Sequence, residues 1–280
     1  MENAVNNKMN TYISGEENID YSVYTLSIKE KIAYFMLAFL VGASVGYLFY
    51  GGIGKDEFGN PTTLTKVLNI LIPSTVGIIA GVLFLPIRRD QIIAKRKKAL
   101  HMQFRDLLEA VATSIGAGKN MVDSFKSAYD DLCMQYPRDA FIIHEVRNIL
   151  AGINNNINIE VMLLDFGRRS GIDDIKSFAN VFDTCYRKGG NIKEVIKNTK
   201  QIILDKIEIE MEIQTLITSN KMEQSIMTVM PIAIVGMIKL ISPDFAKNFV
   251  SPAGLISSTI AIGLFVVAYF VGRSVLDIKL

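Results

Sequence analysis

A chain of 280 residues that is 50% hydrophobic and only 21% charged, with a mean hydropathy of +0.29, is greasier than an ordinary soluble domain, so a membrane protein is the first class to test. A formal net charge of +2 argues against a general nucleic-acid binder. The two cysteines, Cys133 and Cys185, stand far apart and outside any CxxC or Cys/His ligand spacing, so neither a disulfide framework nor a zinc site is expected.

In chain order, residues 1–30 are polar and carry Glu16, Glu17 and Asp20, with no basic stretch or small-residue cleavage site; they read as a flexible cytoplasmic tail. Four segments are then long and apolar enough to span a bilayer, which takes roughly 17–25 helical residues: 32–50, 67–87, 226–242 and 253–272. They make two transmembrane hairpins, 31–87 and 226–272, flanking an insert at 88–225, with a short tail at 273–280. Gly42 and Gly46 in the first span, and Gly77 and Gly81 in the second, each give GxxxG, a spacing that lets helix backbones approach closely in lipid. Pro73 and Pro231 fall inside the second and third spans, where proline can kink a helix. Just past the second span lie Arg88, Arg89, Lys95, Arg96, Lys97 and Lys98 against one acid, Asp90. Positive charge beside a span marks the cytoplasmic side, which puts both termini and 88–225 in the cytoplasm. The same run can attract anionic headgroups.

The insert reads as a helical bundle. In ALHMQFRDLLEAVATSI, 99–115, Phe104, Leu107, Leu108, Val111, Ala112 and Ile115 form one apolar stripe at helical spacing. Further helices are expected over 121–136, from Pro137 to about 151, over 159–169, over 173–187, and from 192 to the membrane. Lys206–Ile213, KIEIEMEI, alternates with period two as a strand would, but Ile202, Ile209, Ile213 and Leu216 also fit a helical stripe and no partner strand is visible; helix is the expectation. Residues 191–225 would then form a stalk of roughly 50 Å running into the third span.

SIGAGKNM, 114–121, looks like the start of a phosphate loop. Aligned on Gly118-Lys119, however, that motif would need glycine at Thr113 and a hydroxyl at Asn120, with a strand before it. The plainer reading is a turn between helices, with Gly118 left-handed and Asn120 capping the next helix above Asp123. Gly189-Gly190-Asn191, followed by Glu194, repeats the arrangement. Asp165-Phe166-Gly167 spells a kinase triplet, but without the other kinase motifs it is a piece of helix. There is no nucleophile–base set and no metal-ligand cluster. His101 and His144 sit on separate helices, so neither catalysis, a cofactor nor a metal is expected. If the protein works by contact, the charged helix ends are the candidate partner interface: Arg168, Arg169, Asp173, Asp174, Arg187 and Lys188. Opposite charges at helix termini also simply complement the helix dipoles.

The order LLEAVATSIGAGKNMVDSF, then FGRRSGIDDIKSFANVFDTCYRKGGNIKEVIKN, then a long charged helix entering KMEQSIMTVMPIAIVGMI, resembles the type II secretion system F-domain family, in its compact Tad (tight adherence, Flp-type pilus) branch. The resemblance covers about 98–240. It implies an all-α fold with a cytoplasmic F domain, and a non-enzymatic platform in a bacterial inner membrane. The implied partners are a cytoplasmic hexameric ATPase, a second F-domain protein or a further copy of the chain, and prepilins. Larger relatives carry two such domains and three spans, where this chain offers one domain and four. Two other classes are open: a membrane-anchored signalling or scaffold protein, and a transporter. Transport is disfavoured because Lys239, near the end of the third span, is nearly the sole ionisable residue within the spans.

Overall fold

A computed structural model describes residues 19–53, 62–242 and 248–276. These residues are helical, with no strand among them. The helices are α1 (Ile28–Tyr50), α2 (Thr63–Gly116), α3 (Met121–Gln135), α4 (Phe141–Asn154), α5 (Ile159–Ser170), α6 (Asp173–Lys188), α7 (Ile192–Ile241) and α8 (Pro252–Leu276). The second span and the first helix of the insert are therefore one helix, as are the stalk and the third span. Pro73, Pro86 and Pro231 are carried inside these long helices. Two compact units result. One holds 19–25 with Arg89–Ile209, and the other Leu26–Arg88 with the described residues beyond Ile209.

In the first unit, one apolar stripe from each helix closes a single core. Of the predicted stripe, Phe104, Leu107, Leu108 and Val111 of α2 are fully buried and Ala112 and Ile115 partly so, and Leu100 joins them one turn earlier. Phe104 packs edge-on against Phe166 of α5 and Phe178 of α6, with ring centroids 6.0 and 5.4 Å apart, and Phe182 continues the row. Offset and edge-to-face rings of this kind add to the area they bury. Lys206–Ile213 is helical, but its packed face is not the expected one. Ile196, Ile203 and Ile207 point into the core, whereas Ile202, Ile209 and Leu216 stand 61%, 52% and 69% exposed. At 100° per residue, spacings of seven and four keep 196, 203 and 207 on one side of α7.

The turns follow their local chemistry. Gly118 has φ +87°, and Asn120 Oδ1 accepts the Asp123 N–H at 2.8 Å, opening α3. Gly189 has φ +75°, and Asn191 Oδ1 accepts the Glu194 N–H at 3.3 Å, opening α7. SIGAGKNM is thus a helix–helix turn repeated later in the chain, and Lys119 Nζ donates to Ser127 Oγ. Pro137 opens a turn, closed by Ala140 N–H to Pro137 O, rather than a helix; α4 begins only at Phe141.

The expected flexible tail at 1–30 can be compared with the structure over 19–30, and there the chain is held. Residues 1–18 lie outside the described residues, but Tyr21 is 1% exposed and stacks edge-on against Phe141. Leu26 is buried, and α1 begins at Ile28 behind a Ser27 N–H to Glu30 bond. One aromatic side chain and the backbone bonds described below supply what a polar composition did not reveal.

In the second unit α1 and α2 pack antiparallel through their glycines. A Cβ on Gly42 would stand 2.7 Å from Ala80 Cβ, and one on Gly77 would stand 2.8 Å from the Phe39 ring. The two GxxxG pairs thus make a close helix contact. Among the described residues, four helices, including the apolar stretches of α2 and α7, are long and apolar enough to cross a membrane. Lys239 of α7 donates to the Leu48 and Phe49 carbonyls and lies over the Phe249 ring. It thereby satisfies carbonyls at the C-terminal end of α1, where a cation is favoured.

Candidate interaction surface

The charged groups of the bundle sort into a buried knot and an exposed rim. Glu145 of α4 is wholly buried, in the run IIHEVRNIL where Ile142, Val146 and Ile149 share its face. A lone carboxylate there would be prohibitive, and burial is tolerated only with partners. Arg169 meets it bidentately, Nη1 to Oε1 at 2.8 Å and Nη2 to Oε2 at 2.7 Å, while Tyr21 Oη donates to Oε1 at 2.9 Å. Two more Arg169 donors are placed: Nε reaches Asp165 Oδ2 at 2.6 Å and Nη1 the Ile19 carbonyl at 3.0 Å. The Tyr21 N–H in turn donates to the Arg169 carbonyl at 3.0 Å, so the segment 19–25 is fastened by side chain and backbone together.

Electrostatics agree with this geometry. Burial and then the Glu145 charge push the Tyr21 hydroxyl far above the ordinary tyrosine range, so it remains a neutral donor. Burial alone would lower the Arg169 guanidinium, but its bonds to Glu145 and the charges of Glu145 and Asp165 outweigh that and raise it. Between the end of α3 and α2, burial and a hydrogen bond to Asp106 push the Tyr136 hydroxyl up to about 12.

Of the six residues the sequence nominates, Arg169 therefore belongs to the interior. Its neighbour Arg168 points outward, 55% exposed and paired with Asp165 at 2.7 Å. Asp173 is exposed at the start of α6. Asp174 is turned inward, its Oδ2 3.0 Å from both His101 Nε2 and Lys206 Nζ, so it ties α6 to α2 and α7. Arg187, paired with Asp183 at 2.6 Å, and exposed Lys188 sit at the far end of α6, about 22 Å along the helix from Asp173. The six do not form one site. Arg168 and Asp173 flank the Ser170–Gly171 turn, where Gly171 has φ +58°, and Arg187 and Lys188 form a separate basic end.

The kinase-like triplet dissolves into the same packing. Asp165 holds both arginines, Phe166 is in the core, and a Cβ on Gly167 would stand 3.1 Å from Lys176 Cα. His144 Nδ1 lies 3.2 Å from Asn148 Nδ2. Among the described residues no group of three or more His, Cys, Asp or Glu is placed to hold a metal ion. Sequence reasoning missed Tyr21 and Glu145. The signal for Glu145 was available, as an acid in the middle of an apolar face of α4; for Tyr21 there was none.

Neither the curated proteins nor the solved structures give a match. A family model does. Residues 101–239, from the buried stretch of α2 past the α5–α6 turn and along nearly all of α7, match the family described as Type II secretion system (T2SS), protein F.

Proposed function

We propose that this protein is a multi-pass inner-membrane platform of a Tad-type pilus or related type II secretion machine, and not an enzyme. The observation that carries the reading is the F-family match at 101–239 on a chain with four membrane-length apolar helices, two of which run without a break out of the helical bundle. In this reading both termini and the bundle lie in the cytoplasm. A cytoplasmic hexameric ATPase engages the bundle, and α2 and α7 carry its movement to the apolar helices, where prepilins are drawn from the bilayer. A second F-domain protein, or a further copy of this chain, completes the platform. The exposed pair Arg168 and Asp173 is the candidate ATPase contact, with Arg187 and Lys188 a separate basic surface.

Removing the chain from the cell is expected to abolish surface filaments or secretion, with a plasmid-borne copy restoring them; filaments that persist without it count against the platform role. The orientation has its own check. Cys133 is exposed on α3. A membrane-impermeant maleimide is therefore expected to label it in inverted membrane vesicles and to leave it unlabelled in intact cells, and the opposite pattern would reverse the topology.

A further inference from the structure

The fastening of 19–25 has a by-product on the surface of α2. Residues 22–24 lie along the turns of α2 that follow its apolar stretch, leaving an open groove of about 510 Å³ lined by Ser22, Val23, Tyr24, Arg89, Ile93 and Lys97, with Asp90 and Ala94 completing it. The walls are of two kinds. Val23 is 61% exposed at the rim, and Ile93 and Ala94 give an apolar strip along the helix. Arg89 and Lys97 bring cationic heads to the same space, and the Arg96 guanidinium lies 4.1 Å over the Tyr24 ring. Arg89 contacts its neighbour Asp90 at 3.0 Å, yet a guanidinium carries five donors, and Lys97 gives one of its three to the Gly171 carbonyl at 2.9 Å.

We infer that this groove binds the phosphate headgroup of an anionic phospholipid, the phosphate lying between the Arg89 and Lys97 cations. The inference rests on the apolar stretch of α2 lying in a bilayer. Three observations favour a lipid over a soluble anion. Along α2, Arg89 is about 3 Å and Ile93 about 9 Å beyond Ile87, which spans the headgroup layer whatever lies further out. Side chains on a helix lean toward its N-terminus, here toward the apolar stretch. The stretch 88–98 sets six basic residues against Asp90 alone, the complement of an anionic surface. The role differs from fixing topology, since charge anywhere in the run would do that, whereas a groove requires Arg89 and Lys97 on the same face of α2, about two turns apart, and residues 22–24 as the opposite wall.

The test is native mass spectrometry of the full-length protein, released from detergent micelles holding equal amounts of phosphatidylglycerol and phosphatidylcholine. The wild type is expected to retain phosphatidylglycerol preferentially, and excess inorganic phosphate is expected to leave it in place. Arg89→Gln with Lys97→Gln should lower the preference roughly thirtyfold. Ala94→Glu, which keeps every cation and places a carboxylate in the groove at an exposed helix position, should lower it as well, and it serves if the double variant does not fold. Lys193→Gln with Lys197→Gln removes the same charge from exposed positions on α7 and should leave the preference intact. An equal loss in that control, no preference in the wild type, or release by inorganic phosphate each overturns the site. Membrane fractionation of the same variants reports separately on whether the chain is membrane-embedded at all.

Discussion

Replacing Glu145 with alanine is expected to destabilise the bundle by about 3–5 kcal/mol, because it strands a buried guanidinium rather than merely deleting a contact. Arg169 would keep Asp165 and the Ile19 carbonyl but lose both bonds of its bidentate pair, and Tyr21 would lose its acceptor. The readout is the thermal unfolding midpoint of the full-length protein in detergent. Glu145→Gln should cost less, since an amide still accepts from Arg169. Glu145→Leu combined with Arg169→Met and Tyr21→Phe should recover much of the loss, because an apolar replacement of a whole buried network can match it. Protease susceptibility separates this account from a simple cavity. If 19–25 is fastened through this knot, Glu145→Ala should expose the chain to cleavage near Tyr21, whereas a core cavity such as Ile149→Ala should lower the midpoint without that cleavage.

The second large effect is functional. Reversing the exposed pair, Arg168→Glu with Asp173→Lys, is expected to abolish filament assembly or secretion while the protein remains in the membrane at its usual level. The structural cost is small by comparison. Arg168 and Asp165 form a solvent-screened pair worth up to about 1 kcal/mol, and Asp173 contributes about the same through the α6 dipole. Reversal at Arg169 or Asp174 would be uninformative, because one is in the knot and the other ties α6 to α2 and α7. Undiminished assembly with the 168/173 reversal would remove this surface from the mechanism.

The contrast between neighbours Arg168 and Arg169 shows what the sequence carries and what it withholds. That both end a helix before Ser170–Gly171 is readable locally, from the turn residues and the basic last turn. Which arginine faces inward depends on Glu145, far away on α4, and on Tyr21 earlier still, and neither is encoded in the local pattern. The glycine–asparagine turns at 118–120 and 189–191 were legible because a left-handed residue and a cap act within four residues. The period-two stretch 206–213 was legible as helix through a second, helical stripe and the lack of a partner strand. Its buried side was not, since Ile203 and Ile209 are equally apolar and only the position of the core tells them apart. The segment 19–25 has no periodicity to read. It is fastened to the bundle by one inserted ring and a few hydrogen bonds that reach α4 and α5, far along the chain.

The central claim is that the helical bundle of this protein receives a secretion ATPase. The most direct test places a photo-crosslinking residue at position 168, and another at 173, in the full-length chain in living cells, followed by mass spectrometry of the crosslinked species. The account predicts capture of a cytoplasmic hexameric secretion-type ATPase from both positions. A membrane-embedded, intact protein that crosslinks from these positions only to proteins unrelated to secretion would contradict it.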